Sequence, residues 1–550
     1  MDNDPLLWND DSGIKTQRGK NRRAVFRGSA LQIARLAALF TALQHAVRNF
    51  ILVSPCLLRD RRPRVCLRLV RRNGCDLFVS AYSLQQSSFP ALPRDSQRFG
   101  FSSNLARILF GQVASGCIAL LIEVFYTRLL GPDARGLISL CLMSAAFGVL
   151  LGGLGGEGTI TYWRARHPGE TQSWLPAIWF WGLIGSALAV AAWVGAYWKL
   201  HLPFLHSIPP SSARLVALAI PASTLFLFSM SLLTGAEDFA FRSANVVLRQ
   251  IVLLLGFVAA FFMLSRNPDA ALWGNILGFL IPAILTLYTL RKELRGFWRL
   301  GPAVKSLMPV LRYGVRGQVG NLATFFTYRL DIFVISYFLP LTQLGYYALG
   351  VSISEVLWQI PSAAASALFP RTARSDAASA TAFTCLLMRQ LTLLTFVFGA
   401  AIALGSLLFV PVVFGSRFRP SIPVVFLLLP GTMALSLAKL ACSDLAGRGK
   451  NGYASVFAFV CLALTAILDW WFIPRWGILG AAAASSISYL VDSVLVLAAL
   501  RFELRVAWRD LLFPRLADLS RYLPAVRKVS ETFSLPKLRA GAASLFWTGD

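Results

Sequence analysis

Charge is what this sequence has least of. Asp, Glu, Lys and Arg make up 14% of its 550 residues, where a soluble chain of that length would carry about a quarter. Histidine is scarce: the four (His45, His167, His201, His206) all lie outside the apolar stretches. The eight Cys form no CxxC pair and no metal-ligand spacing, and Cys117, Cys141, Cys385, Cys442 and Cys461 sit within or at the ends of apolar stretches as small fillers. These scarcities argue against His-centred catalysis, a metal site and a soluble enzyme core; no cofactor is expected. Gly447-Arg448-Gly449-Lys450-Asn451 resembles a phosphate loop only in composition. It lacks the spacing, the Ser or Thr and the preceding strand, and reads as a helix-connecting turn.

Apolar residues are what the chain has instead: 56% of the total, with a mean hydropathy of +0.61. A helix needs about 20 mostly apolar residues to cross about 30 Å of hydrocarbon. Such stretches recur near 105–127, 136–158, 176–197, 213–234, 243–264 and 270–290, and again near 313–338, 342–368, 384–409, 419–441, 453–473 and 478–500. The expected fold is an all-α integral membrane protein of about twelve spans in two bundles of six. Expected boundaries are a basic N-terminal extension at 1–103, bundles at 104–296 and 313–500, a basic linker at 297–312 and a basic tail at 501–550.

Lys and Arg set orientation. With the N-terminus cytoplasmic, the inner loops hold Arg164, Arg166, Arg242, Arg291, Lys292, Arg295, Arg299, Lys305, Arg312, Arg316, Arg371, Arg374, Arg448 and Lys450. The outer loops hold Arg128, Arg135, Lys199, Arg214, Arg266, Arg417, Arg419 and Arg475, a smaller set. Both termini are therefore expected in the cytoplasm. The net charge of +27 reads as topological and lipid-facing, not as a nucleic-acid footprint. The first hundred residues are unlike the rest, with dense Arg, no Glu and Arg35, His45 and Arg48 interrupting their one apolar stretch. Asp2, Asp4, Asp10 and Asp11 argue against a signal peptide. A disordered tail or a misplaced start codon are the two readings.

The halves repeat. Leu130-Gly131-Pro132-Asp133-Ala134-Arg135-Gly136, with Leu140 beyond, matches Leu339-Pro340-Leu341-Thr342-Gln343-Leu344-Gly345, with Leu349 beyond, at an offset of 209. Pro221 matches Pro430 at the same offset, and Gly235 matches Gly447 with three residues more. A duplication of six spans brings both copies in from the same side, about an axis along the membrane normal.

The hairpin Phe125-Tyr126-Thr127-Arg128-Leu129-Leu130-Gly131-Pro132-Asp133-Ala134-Arg135-Gly136-Leu137 resembles the polysaccharide and oligosaccharide flippase family of the multidrug, oligosaccharidyl-lipid and polysaccharide exporter superfamily. So do Arg329-Leu330-Asp331, Leu344-Gly345-Tyr346-Tyr347-Ala348-Leu349-Gly350, Leu357-Trp358-Gln359-Ile360-Pro361 and Phe369-Pro370-Arg371. The resemblance covers about 104–500. It implies two bundles meeting in a V, and no enzyme activity. It also implies export of a polyprenyl-diphosphate-linked glycan across the bacterial cytoplasmic membrane by alternating access, with proton or sodium as coupling ion and other polysaccharide-assembly proteins as partners. Some members have fourteen helices; no final pair is found here. A multidrug extruder of the same superfamily is the alternative. A membrane polymerase, ligase or glycosyltransferase is disfavoured, because the longest outer loop, about 198–212, holds no carboxylate.

Polar stripes identify cavity candidates, since polar groups in lipid must face protein or water. The eighth span carries Ser352, Glu355, Gln359, Ser362 and Ser366; the seventh carries Gly317, Asn321, Thr324, Tyr328 and Asp331; the first carries Gln112, Gly116, Ala119, Glu123 and Thr127. Steps of three and four residues put each set on one helix face. Helix packing explains the small residues but not mid-membrane Glu355 or Asp331. Arg329 and Asp331, two apart, diverge by about 200° around the helix and cannot pair by spacing. Glu123 lies close enough to the outer surface to read as a snorkelling or capping residue. Asp492, with Ser485 and Ser488, and Lys439, with Thr432, Ser436 and Ser443, complete the candidates; Lys439 also fits a plain interface anchor.

Overall fold

A computed structural model describes residues 97–515 apart from 167–170, 201, 264–265, 292–299, 375–376 and 451. The expected N-terminal extension before residue 97 and the tail beyond residue 515 lie outside the described residues. Among those residues the chain is all helix and turn, without a strand.

The first half runs α1 (Gln97–Phe125), α2 (Gly131–Gly153), α3 (Gly156–Arg166), α4 (Thr171–Val194), α5 (Pro210–Gly235), α6 (Phe239–Met263) and α7 (Asp269–Thr289). The second runs α8 (Leu300–Phe338), α9 (Leu341–Glu355), α10 (Gln359–Arg374), α11 (Ala377–Phe409), α12 (Ser421–Gly447) and α13 (Gly452–Leu504), with a short α14 (Trp508–Leu512). Glycines and prolines mark the breaks. Leu154 and Gly155, at φ 41° and 76°, separate α2 from α3 within the second span. Gly477, at φ 58° and ψ −139°, folds α13 into the eleventh and twelfth spans just after Pro474.

Eight segments among the described residues are long and apolar enough to cross a membrane, and two of them, 111–153 and 452–504, hold two crossings each. That accounts for ten of the twelve expected spans. The remaining two are α8 and the divided eighth span, whose halves α9 and α10 are 15 and 16 residues long and each too short to cross alone. Two features of the helices bear on the expected boundaries. Most of the basic 297–312 stretch is the start of α8, which opens at Leu300 with Pro302 in its first turn, where a missing N–H costs nothing. The eighth span is not one helix: a 3-10 turn at Val356–Trp358 divides it. Pro361 supplies the reason, since it has no N–H for the Leu357 carbonyl and its ring crowds that turn.

The duplication is visible in three dimensions. The third span of each half ends in a π-helical turn followed by a 3-10 turn: Gly195–Lys199 then Pro203–Leu205, and Val410–Phe414 then Ser416–Phe418. Pro221 and Pro430 lie inside the matching fourth spans. The equivalent residues Asp133 and Thr342 hydrogen-bond to each other. A Cβ on Gly136 would overlap the carbonyl oxygen of Leu341, and one on Gly345 that of Pro132. Gly136 and Gly345, like Pro132 and Leu341, are separated by the repeat offset, so these reciprocal contacts straddle the pseudo-twofold axis.

Candidate transport cavity

Span two is the seam between the halves. Call the end of the molecule where span one starts and α13 finishes the terminal face, and the other end the distal face. At the distal face α2 meets α9 through the Gly136–Gly345 approach. At the terminal face Gly155 lies against the backbone of Gly314 in α8, and Gln318 donates to the Leu150 carbonyl. Between them Phe147 packs on Phe325, Phe326 and Phe333 of α8, with ring centroids 6.2, 5.1 and 6.5 Å away. The distal half of span one is also closed. Leu120 and Val124 pack on a cluster of Leu349, Val410, Phe414 and Phe418, while Arg128 donates to the carbonyls of Val413 (2.8 Å) and Val412.

The exposed stripe residues lie in the terminal half of spans one, seven and eight, where the V implied by the resemblance would open as a wedge. Gly116, Gly317, Asn321, Gln359 and Ser362 are all exposed there. Asn321 donates to Gln318 Oε1 at 3.3 Å. The hydroxyls of Thr324 and Ser362 return to the carbonyls of Gly320 and Trp358, at 2.9 and 2.7 Å. Those two stripe members thus meet their own helix, the ordinary fate of hydroxyls in lipid. The Ser366 side chain lies outside the described residues.

At the apex of this wedge Arg329 and Glu355 form an ion pair. Nη2 donates to Oε2 at 2.9 Å, and Nη1 lies 2.9 Å from Oε1. Both side chains are about a fifth exposed (22% and 20%). The expectation that Arg329 cannot reach Asp331 agrees with this: it reaches across to span eight. Lys439 is not an interface anchor. Its ammonium lies 3.4 Å from the centre of the Trp358 ring and 5.6 Å from that of Tyr328. Tyr328, Trp358 and Tyr489 pack together, with centroids 5.5 to 6.3 Å apart. Arg329, Lys439, Glu355 and three aromatic rings thus cluster in the second bundle, with Asp331 within electrostatic range of Arg329 and Asp492 within range of Tyr328.

Asp331 does not face the wedge. It is 3% exposed and accepts hydrogen bonds from Tyr347 Oη, from Ser485 Oγ at 3.2 Å and from its neighbour Ile332 N at 2.7 Å. Asp469 on α13, fully buried with neither carboxylate oxygen partnered, lies within electrostatic range of it. Ser485 therefore serves Asp331 and not Asp492, as its helix face suggested. Asp492 takes the Cys461 thiol at 3.7 Å instead, and the buried Ser488 hydroxyl has no partner among the described residues. Glu123 neither snorkels nor caps. It holds Arg135 through two contacts of 2.8 and 2.9 Å, and Arg135, 5% exposed, also reaches Ser139 and, at 3.3 Å, Ser352 of α9.

Sequence reasoning missed Trp358, Asp469, Tyr347 and Arg135 as site residues. Arg135 sits in a Gly-Pro turn and counts there as a loop charge. Asp469, beside Trp470 and Trp471, has the look of a membrane-interface residue. A carboxylate inside the eleventh apolar stretch was the available signal.

Residues 102–376, half of the chain, match the family described as polysaccharide biosynthesis protein. The chain belongs to that family. Two relatives agree in kind. A Shigella flexneri protein named as an O-antigen transporter is 23% identical over 295 residues, 53% of this chain and 70% of that one. A Haloferax volcanii protein named as a low-salt glycan biosynthesis flippase is 21% identical over 288 residues, 51% of this chain but 59% of that relative's length. Among solved structures, the lipid II flippase MurJ in an inward closed conformation superposes with a TM-score of 0.54 at 14% identity, covering 78% of this chain and 92% of MurJ. The eukaryotic MATE transporter AtDTX14 superposes at 0.52 with 13% identity, covering 78% and 98%. At those identities the likeness is one of fold: an all-α transporter of two bundles. For this member of the polysaccharide biosynthesis family, the seam, the wedge and the buried Asp331 lie where the two halves of that fold meet or inside its second half.

Proposed function

We propose that the protein carries a lipid-linked oligosaccharide or polysaccharide precursor across the bacterial cytoplasmic membrane, from inner to outer leaflet, with both termini cytoplasmic. The terminal face is then the cytoplasmic one, and the wedge is in its inward-open state. Sugars and a diphosphate cannot cross about 30 Å of hydrocarbon unaided. The headgroup enters the wedge between spans one and eight while the polyprenyl tail stays in the lipid alongside. Export then requires the distal seam to open and the terminal halves to close.

One observation carries the reading: two cations, Arg329 and Lys439, stand over a polar, exposed wedge with the Glu355 carboxylate between them. Two cations on one side of the cluster suit a diphosphate and do not suit the cationic cargo of a multidrug extruder. Asp331 and Asp469 are the coupling groups in this scheme. Asp469, buried with no hydrogen-bond partner among the described residues and within electrostatic range of Asp331, is costly to keep ionised, so a proton or a sodium ion taken up there biases the bundle toward one state. Polysaccharide-assembly proteins downstream would consume the exported product.

The test is a deletion strain. Loss of the protein should leave lipid-linked glycan in the inner leaflet, inaccessible to a periplasmic glycan-modifying enzyme, and the wild-type gene should restore access. Unchanged accessibility together with increased sensitivity to cationic drugs would favour the extruder.

A further inference from the structure

The Arg329–Glu355 pair is less complete than its distances suggest. A guanidinium offers five N–H donors in a fork that fits two oxygens side by side. Arg329 forms one aligned hydrogen bond among the described residues, Nη2 to Oε2 at 2.9 Å. Nη1 comes within 2.9 Å of Oε1, yet that oxygen, sealed from solvent, accepts no hydrogen bond. The carboxylate therefore meets the fork askew and leaves most of its donors open. Lys439 is in a similar condition: its ammonium rests on the Trp358 ring and makes no hydrogen bond or ion pair among the described residues. A cation resting on ring faces, with Glu355 as its nearby opposite charge, is held weakly enough to be drawn off by a closer anion. Glu355 is also the last residue of α9, directly before the 3-10 turn that divides the eighth span, so it can leave Arg329 without unwinding a continuous helix.

We propose that Glu355 is a resident stand-in for the cargo's phosphate. In the empty carrier it neutralises Arg329; an oxyanion of the phosphate class displaces it, takes the open fork and draws Lys439 from the Trp358 ring. The exchange explains why a carboxylate is tolerated between two cations that must bind an anion: without it the empty wedge would hold two uncompensated positive charges in the bilayer. Phosphate supplies more oxygens than a carboxylate and can satisfy both cations together. The identity of the ligand rests on the flippase reading; the exchange itself rests on the geometry.

The experiment is titration of the purified full-length protein in nanodiscs with inorganic pyrophosphate, by calorimetry at fixed ionic strength. Glu355→Gln, which keeps shape but removes the competing charge, should bind pyrophosphate about tenfold tighter than wild type. Glu355→Asp, which keeps the charge but draws it back by one methylene, should gain less. Arg329→Gln and Lys439→Gln should each lose about tenfold, and the Glu355→Gln gain should vanish when combined with Arg329→Gln. Unchanged or weaker binding by Glu355→Gln overturns the proposal. If that variant does not fold, wild-type affinity in Glu355→Asp overturns it equally. The deletion-strain test separates the two readings. Normal glycan accessibility in that strain with a tenfold gain in Glu355→Gln would remove the flippase and leave the exchange, whereas the reverse pattern would remove only the exchange.

Discussion

Gly136 and Gly345, one from each half of the chain and 209 residues apart, meet backbone to backbone where the second and eighth spans cross. Each lies against a carbonyl beside its partner, Leu341 for Gly136 and Pro132 for Gly345, and neither site has room for a Cβ. Small residues let helices in lipid approach this closely. The crossing lies at the distal end, so it is the part of the seam that must part when cargo leaves there.

Fixing that crossing should stop transport. Asp133 and Thr342 hydrogen-bond across the same axis, so cysteines at both positions should form a disulfide under mild oxidation. Export in the double variant should fall to background on oxidation and return on reduction, while each single cysteine stays active. Undiminished export with the crosslink complete, judged by gel shift, would show that the distal seam does not open.

Next to it, Glu123 neutralises a nearly buried Arg135. Removing one partner of a buried pair costs more than removing both, because the survivor keeps its charge without compensation. Glu123→Ala should destabilise the protein by about 3 kcal/mol, seen as a lower midpoint in thermal unfolding in detergent. The double variant Glu123→Leu with Arg135→Met should recover much of the loss. Equal midpoints for the single variant and wild type would place the pair in a wetter site than its burial indicates.

Much of this frame is legible in the sequence, because span length, turn residues and the repeat offset are local signals. Glu355 and Asp331 stand out for the same reason: a charge in mid-membrane is conspicuous on its own. Their partners are not legible. Arg329 meets Glu355 from another span, Tyr347 and Ser485 reach Asp331 from two others, and Lys439 finds Trp358 across a helix interface; no spacing rule within a helix encodes such encounters. The break in the eighth span was signalled by Pro361, but its effect falls on the preceding turn, which shifts the facing of every stripe residue beyond Glu355.

The buried carboxylates should confer ion dependence. Asp469 has no hydrogen-bond partner among the described residues, so Asp469→Asn removes a charge without stranding a donor on it. That variant should reach the membrane normally but export glycan at a rate insensitive to external sodium and to the proton gradient. Asp331→Asn should do the same and also unfold more readily, since it faces the Tyr347 hydroxyl and Ser485 with a donor-bearing amide. If Asp469→Asn retains the full ion dependence of wild type, the coupling groups lie elsewhere.

Trp358 offers the sharpest test of the cationic site, because its proposed role is electrostatic while its size is that of any core aromatic. A cation over a ring is attracted by the negative face of the π system, most strongly for Trp, less for Phe, and not at all for Leu. Lys439 lies 3.4 Å from the centre of the Trp358 ring, and Tyr328 and Tyr489 pack against the same residue. Trp358→Phe keeps a face for the ammonium and should export glycan within about threefold of wild type, whereas Trp358→Leu removes an attraction of about 0.5–2 kcal/mol and should lose about twofold to thirtyfold. The loss should deepen in low salt if the freed ammonium turns toward Arg329, because two cations then repel across a poorly screened distance. Leu and Phe variants of equal activity and equal salt dependence would reduce Trp358 to packing, and with it the aromatic hold on Lys439.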